Sequence, residues 1–391
     1  MRFADIPGLE ETKKSLIHAA QEGHIAHAQL FLGPEGSAKL AMALAYTTYL
    51  NADNPGQDGS IGEGPATSKL QKYIHPDVHF VFPVSATKNI SGKDVVSDSY
   101  IKAWRGFISE YPYGNTVDWS IYFGAENKQL NISKEESRNI IRKLSLKSFE
   151  GRYKIVILWM PEYLHPSAAN GILKILEEPP EKTLFLLVAQ YAEKLLPTII
   201  SRTQIVDIRA FSDDEVINFL AQKEGINDPQ DTRFQRFRQI ATLSDGNLNQ
   251  ALKLISEVEE DSHQLFRDWM RLCYTRNYSQ LVEMTDQIQK IGKEAQKGLM
   301  QYGLSMMRET LMLLAAESIE EDDALITTEK KLIRLQGEEL KFVSNFSKVM
   351  KFEKIERIAH LFSQGYYHLE RNANPKIVFL DTSLKIGQII R

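Results

Sequence analysis

Gly33-Pro34-Glu35-Gly36-Ser37-Ala38-Lys39-Leu40 is the first stretch whose residue types and spacing could do chemistry. A phosphate-binding turn has the form G-x-x-x-x-G-K-[ST]: backbone N–H groups wrap the phosphates, the lysine neutralises charge and the hydroxyl ligates Mg²⁺. Here Gly33 and Lys39 are in register, and Gly36, Gly33 and Lys39 could still hold a phosphate. Ala38 stands where the motif has its second glycine, and Leu40 stands where it has the hydroxyl. Leucine cannot ligate Mg²⁺, and an alanine denies the close backbone approach that glycine permits. By itself the stretch fits a phosphate turn or any strand–turn–helix. A second candidate is Lys154-Ile155-Val156-Ile157-Leu158-Trp159-Met160-Pro161-Glu162. Phosphoryl-transfer enzymes place carboxylates just after such a strand to hold Mg²⁺ and orient water. Those positions are Trp159 and Met160, and Glu162 comes two or three residues too late.

The elements that must position these residues follow from periodicity. Apolar runs at Ala28–Leu32, Val78–Val84, Tyr153–Trp159, Thr183–Ala189 and Ile205–Ile208 alternate with helical patterns at 13–22, 40–50, 133–146 and 167–176. Strands alternating with helices predict a parallel sheet covered on both sides. Ser133 and Glu136 have the spacing of a capping box. Residues 51–69 are rich in Gly, Pro and Asn and predict a loop. Residues 85–130 carry little periodicity and read as an insertion, whose aromatics Trp104, Phe107, Tyr111, Tyr113, Trp119, Tyr122 and Phe123 suggest a small packed unit. From Asp213 onward the pattern is almost wholly helical, over 213–224, 232–243, 247–260, 262–275, 278–291, 293–316, 329–349, 351–371 and 375–390. Phe352, Ile355, Ala359, Phe362 and Tyr366 are expected to form one apolar stripe.

Composition narrows the classes. The 391 residues suffice for two or three domains, and 43% hydrophobic with 25% charged residues is ordinary for a globular chain. Lys and Arg total 47 against 51 Asp and Glu, a net charge of −4, which excludes a globally basic nucleic-acid coat but not a local patch. Such a patch is Lys134, Arg138, Arg142, Lys143, Lys147, Arg152 and Lys154, set against only Glu135, Glu136 and Glu150; it suits a DNA backbone or a solvated helix face. Glu317, Glu320, Glu321, Asp322, Asp323 and Glu329 predict a solvated acidic loop. No run approaches the roughly 18–20 apolar residues of a membrane span, and Met1–Leu9 lacks a signal-peptide pattern. The one cysteine, Cys273, can build neither an internal disulfide nor a cysteine zinc site, and His75 and His79 on an extended segment do not converge. A cytoplasmic chain with no structural zinc is expected.

Two further stretches are more specific. Ala168-Ala169-Asn170-Gly171-Ile172-Leu173-Lys174-Ile175-Leu176-Glu177-Glu178-Pro179-Pro180 and Leu195-Leu196-Pro197-Thr198-Ile199-Ile200-Ser201-Arg202-Thr203-Gln204 resemble signature motifs of the bacterial DNA polymerase III clamp-loader subunits. Ile172 and Thr203 depart from those motifs, the first conservatively. Phe3-x-Asp5-Ile6-x-Gly8, His27-Ala28-x-Leu30-Phe31-x-Gly33, His75-Pro76-Asp77 and Asn372-x-Asn374-Pro375-Lys376 are similar to the family as well, so the resemblance covers nearly the whole chain except 85–130.

The resemblance implies an AAA+ P-loop-type parallel α/β domain over 1–208, a small helical lid over 209–261 and a C-terminal helical collar for oligomerisation over 262–391. The ATP-hydrolysing gamma/tau branch carries an intact phosphate turn, an acidic strand end and a four-cysteine zinc module. This chain has none of the three, and Asn249 takes the place of the family's second sensor arginine. That pattern is similar to the non-hydrolysing delta-prime branch, whereas the delta branch usually lacks the Ser-Arg pair present here as Ser201-Arg202. The resemblance further implies that Arg202, with Ser201, reaches the ATP of a neighbouring subunit. Arg202 in an ordinary surface ion pair is the alternative. Implied partners are gamma/tau and delta subunits and, through the complex, the sliding clamp and primer–template DNA. No cofactor is required of this chain, and ATP would be held weakly, if at all, by Gly33, Gly36 and Lys39.

Overall fold

Runs of β-branched, aliphatic and aromatic residues build the strands β1 (Ala28–Leu32), β2 (Val78–Val81), β3 (Lys154–Trp159), β4 (Thr183–Ala189) and β5 (Gln204–Asp207). In the computed structural model they form one parallel sheet in the order β2-β3-β4-β1-β5. The structure describes the chain except residues 89, 127, 146, 147, 227, 229, 230, 232, 256–261, 319–336, 349, 372 and 391. The described helices are α1 (Glu10–Gln21), α2 (Lys39–Asn51), α3 (Pro65–Gln71), α4 (Ile101–Glu110), α5 (Thr116–Tyr122), α6 (Lys134–Leu144), α7 (Pro166–Glu177), α8 (Pro197–Ile200), α9 (Asp213–Lys223), α10 (Arg233–Ser244) and α11 (Leu248–Leu254). They continue with α12 (Ser262–Thr275), α13 (Tyr278–Lys290), α14 (Lys293–Ser318), α15 (Gly337–Ser347), α16 (Phe352–Glu370) and α17 (Pro375–Ile390). Lys147, Asn372, Glu320, Glu321, Asp322, Asp323 and Glu329 lie outside the described residues.

β3 and β4 are buried along their whole length, as strands covered on both faces must be. On one face Leu30, Val156, Leu158, Phe185 and Leu187 pack with Ile140 and Leu144 of α6 and Ile172 and Leu176 of α7. α2 covers β1 and β4 and is buried at every residue, which is why its sequence lacks a polar stripe.

Several local expectations change. Residues 65–71 form a helix rather than loop, with Pro65 in the first turn, where its missing N–H costs nothing. The capping box does not form: Glu136 N donates to the Ser133 backbone O at 3.1 Å instead of its hydroxyl, and the Glu136 carboxylate accepts from Ser97 N at 2.7 Å. Burial raises the Glu136 pKa. The insertion is pinched at its ends by the Val84–Asn131 antiparallel bridge and contains α4 and α5. Its aromatics do not pack only among themselves. Trp104, Phe107 and Trp119 are fully buried, and the Trp104 ring lies 5.0 Å from Trp159 and 4.2 Å from Phe82 of the main domain. Tyr111 and Tyr122 stay exposed.

The chain divides into two compact units, one of residues 1–219 with 245–250 and the other of 220–244 with 251–391. The residues linking α10 to α11 go with the sheet unit because Phe211 N donates to Gly246 O at 3.2 Å and Leu248 N to Gly36 O at 3.1 Å. In the helical unit the buried stripe of α16 is Ile355, Ile358, Phe362, Gly365 and Leu369. Ala359 and Tyr366 fall on its flank, and Phe352 is 60% exposed. Close packing on α14 selects that face, since Gly365 meets Met300 and Gly303 meets the Phe362 ring. Trp269, whose indole donates to Ser383 Oγ at 2.7 Å, stacks edge-on with Phe362 and Phe379 in the same core.

Candidate functional site

The phosphate-type turn leaves β1 between β4 and β5: Gly33 N donates to Ala189 O at 3.3 Å, and Ile208 N donates to Leu32 O at 2.7 Å. Parallel sheets bind ligands at such a crevice beyond the carboxyl ends of their strands. A Cβ on Gly33 would come within 2.3 Å of Ile208 O, and one on Gly36 within 1.7 Å of Asn247 Oδ1. Gly36 also has a φ of +69°. Both glycines are therefore required by the fold itself, with no phosphate in the argument.

Lys39 is 4% exposed and donates from Nζ to Pro34 O at 2.7 Å, inside its own turn. Burial pulls its pKa down to about 8, opposed by the carboxylates of Glu35 and Glu162. Ala38 and Leu40 are buried, as are Trp159 and Met160 at the end of β3. None of these side chains can ligate a hard cation, which takes oxygen ligands. Glu162 is occupied structurally: its Oε1 accepts from Gln190 N and from Tyr191 N at 2.9 Å, tying down the chain after β4.

Arg202 sits one residue beyond the C-cap of α8, where Pro197 at the first turn and Ser201 at the end set the helix length. Its Nε donates to Glu177 Oε1 at 2.7 Å, its Nη2 to the same oxygen, and its Nη1 to Thr198 O at 2.9 Å. Ser201 Oγ donates to Thr198 O at 3.3 Å and lies 3.4 Å from Arg202 Nη1. The guanidinium is partly exposed, held by the last residue of α7. The structure thus brings together Gly33, Gly36 and Lys39 in one turn and gives the Ser201–Arg202 pair a setting of its own, with Glu177.

Asn249 is buried and donates from Nδ2 to Asp118 Oδ2 at 2.7 Å. Asp118 belongs to the insertion. With Asn115 it forms a capping box at the start of α5: Asp118 N donates to Asn115 Oδ1 at 2.9 Å and Asn115 N to Asp118 Oδ2 at 3.0 Å. Asn115 Nδ2 then donates to Glu35 Oε1 at 2.8 Å, in the phosphate-type turn. Sequence reasoning missed Glu35, Asn115, Asp118 and Glu177. The Asn-x-x-Asp spacing at 115–118 was a visible capping signal for the start of α5, but nothing local indicated what its free amide would reach.

Other motif residues are structural. Asp77 accepts from Phe149 N, Glu150 N and Gly151 N at 2.7–2.8 Å, clamping the loop before β3 to the start of β2. These three N–H bonds hold its pKa low against the opposing effect of burial. His75 Nδ1 accepts from Asp77 N, and His27 Nε2 lies 2.9 Å from Leu176 O. In the basic patch Lys154 is buried with Nζ on Lys143 O, and Lys143 pairs with Asp98. Lys134, Arg138 and Arg142 are exposed at four-residue spacing, on one face of α6.

A family model described as "DNA polymerase III, delta subunit" matches residues 8–212. The DNA polymerase III subunit tau of Bacillus subtilis is 26% identical over 282 residues, 72% of this chain and 42% of that protein. The DNA polymerase III subunit delta' of Pseudomonas aeruginosa is 31% identical over 177 residues, 45% of this chain and 41% of its own length. The chain thus spans about two-fifths of these relatives. A solved gamma subunit-related protein from Thermotoga maritima covers 97% of this chain and 100% of its own, with a TM-score of 0.37 and 14% identity. The family model takes in the turn after β1, the strand end at Trp159 and the Ser201–Arg202 pair, and with more than half of its residues under that match the chain belongs to the DNA polymerase III delta-subunit family of bacterial clamp-loader proteins.

Proposed function

We propose that this chain is a delta-prime-type clamp-loader subunit that helps load the sliding clamp onto primed DNA, does not hydrolyse ATP itself, and supplies Arg202 in trans to a neighbouring ATPase subunit. One observation carries the reading: Lys39 is buried on Pro34 O while Leu40, Trp159 and Met160 are apolar at the three metal-linked positions. These residues do not fit a magnesium-bound nucleotide, so no step is routed through one in this chain. A structural zinc is likewise not part of the reading. The working partners are gamma/tau and delta subunits in the cytoplasm, with the clamp and primer–template DNA met through the complex. In this reading the AAA+ domain spans 1–208, the lid 209–261 and the collar 262–391.

Arg202 then has a defined chemistry. Phosphoryl transfer builds charge on the γ-phosphate oxygens, and an arginine supplied by a neighbour is worth ~10³–10⁵ in rate where measured. The planar fork that now grips Glu177 matches a phosphate equally well. Lys134, Arg138 and Arg142 are the candidate DNA-backbone contacts.

The relatives also include ATPase-branch subunits, and the tau match covers 72% of this chain. A gamma/tau-type motor is therefore the second reading. Purified chain assayed for Mg²⁺-dependent ATP turnover separates the two, with none expected here. Reconstitution with the cognate gamma/tau and delta subunits tests the rest. Arg202→Ala should assemble normally yet lower clamp-stimulated ATPase at the one site it faces, and Arg202→Lys should rescue poorly. Wild-type clamp loading by Arg202→Ala in saturating ATP would remove the trans role.

A further inference from the structure

Five consecutive residues of the phosphate-type turn, Gly36 to Leu40, are buried by the chain's own atoms. A phosphate turn works only if its N–H groups face a ligand. Here the Asn247 side chain packs directly on Gly36, 1.7 Å from where a Cβ would stand, and its Oδ1 also caps α11 through Gln250 N at 3.0 Å. Leu248 N donates to Gly36 O at 3.1 Å. From the other side the insertion reaches Glu35 through Asn115 Nδ2, and Asp118 Oδ2 accepts from both Asn115 N and Asn249 Nδ2. The bonds close a circuit: Glu35 to Asn115, Asn115 to Asp118, Asp118 to Asn249, and Leu248 back to Gly36.

The insertion is firmly seated for this task. Trp119 Nε1 donates to Pro83 O at 2.8 Å, and Tyr113 packs edge-on against Phe211 and Phe219. Trp104 and Phe107 lie 5.0 and 6.0 Å from the Trp159 ring. Trp159 stands where a motor subunit carries a metal-binding carboxylate. The same residue that forgoes the metal forms the floor on which the insertion rests. Thr116 Oγ1 and Tyr163 OH, 3.3 Å apart, add a contact beside it.

We infer that the insertion, through Asn115 and Asp118, and the 245–250 segment together form a built-in latch that holds the phosphate-type turn shut in one conformation, in the place a nucleotide would take. The latch gives this subunit a turn whose shape does not depend on ATP. It stands on geometry within the sheet unit and requires neither assembly nor any role for Arg202.

Hydrogen exchange on the full purified chain tests it, with Glu35→Ala and Asn249→Ala each cutting one end of the circuit while leaving the α5 capping box intact. Wild-type amides over 35–40 should be protected without nucleotide, and either variant should speed their exchange by roughly tenfold or more while β4 amides stay protected. Wild-type amides that exchange at the rate of an open loop overturn the latch, as do variants that leave 35–40 unchanged. Should a variant also lose β4 protection, the wild-type measurement decides alone. A fluorescent ATP analogue with Mg²⁺ supplies a second readout: saturable binding to the wild-type chain with a Kd below about 0.1 mM overturns the latch, since a turn held shut offers its N–H groups to no phosphate.

Discussion

Lys39 and Arg202 are both cations in sequence motifs, yet the fold treats them oppositely. Lys39 is desolvated, and its folded pKa of about 8 lies below the ordinary 10.5. Between those values the unfolded chain binds more protons, so stability should rise with pH across the window and be lower below it. Lys39→Met should abolish that rise. At neutral pH it should leave stability unchanged or raise it by up to about 2 kcal/mol, because a buried charge is replaced by an apolar side chain of similar length. Thermal melts of both proteins at neutral and alkaline pH check this, and a variant melting well below the wild type would show that the ammonium supports the turn. Arg202 keeps contact with solvent, and a surface ion pair contributes only ~0–1 kcal/mol. Glu177→Gln separates its two roles. If Arg202 serves a neighbouring phosphate, Glu177→Gln should leave clamp-stimulated ATPase at or above wild type while Arg202→Ala lowers it. Equal and unchanged ATPase in both would leave only the ion pair.

Elements are joined by a few residues each, and these joints are where stability can be probed. α5 is held by Trp119, fully buried with its indole bonded to Pro83 O. Trp119→Ala should cost about 3–5 kcal/mol, as large aromatic truncations in cores do, and should loosen 101–123 before the sheet. Limited proteolysis with intact-mass readout locates the first cut. The first turn of α9 is tied to the chain before α1 by Glu215, which accepts from Leu9 N at 3.3 Å and pairs with Arg209. The Arg209 hydrogen bonds are the main cause of its pKa falling from 4.5 to about 2, against some desolvation. A depressed carboxylate pKa stabilises above the unfolded value, and that contribution is lost as pH falls through the window from 4.5 to about 2. Wild type and Glu215→Gln should therefore differ in unfolding midpoint near neutrality and converge toward the bottom of that window. A constant gap would assign the effect to packing instead.

At the scale of the molecule the chain is two units, and the connection runs back and forth between them: 220–244 belongs to the helical unit, 245–250 to the sheet unit. α10 packs on α14 within the helical unit, so cutting at 261 strips α10 of a partner while leaving the sheet unit's own contacts in place. Residues 1–261 should thus retain a folded sheet unit by circular dichroism, lose exchange protection over 233–244, and fail to co-elute with the other subunits. A truncated chain that still joins the complex would place the assembly surface outside 262–391. No described helix is long and apolar enough to cross a membrane.

The five strands, their alternation with helices and the positions of the motif residues were legible in the sequence because each depends on local periodicity: buried parallel strands are continuous apolar runs, and helix faces repeat at 3.6 residues. That Leu40, Trp159 and Met160 cannot hold Mg²⁺ was equally legible, since a hard cation takes oxygen ligands and these side chains carry none in any fold. Tertiary structure alone decided what the remaining polar groups do. The glutamate of the expected capping box, Glu136, bonds Ser97, 39 residues away, and Asn249 meets Asp118 across 131 residues. Short polar side chains carry no periodic signal, and their partners are set by which loops the sheet order brings together. For the same reason Lys39 could be placed in a turn from the sequence, but only the packing of Asn247 on Gly36 and of the insertion on Trp159 shows that this turn is closed by the protein itself.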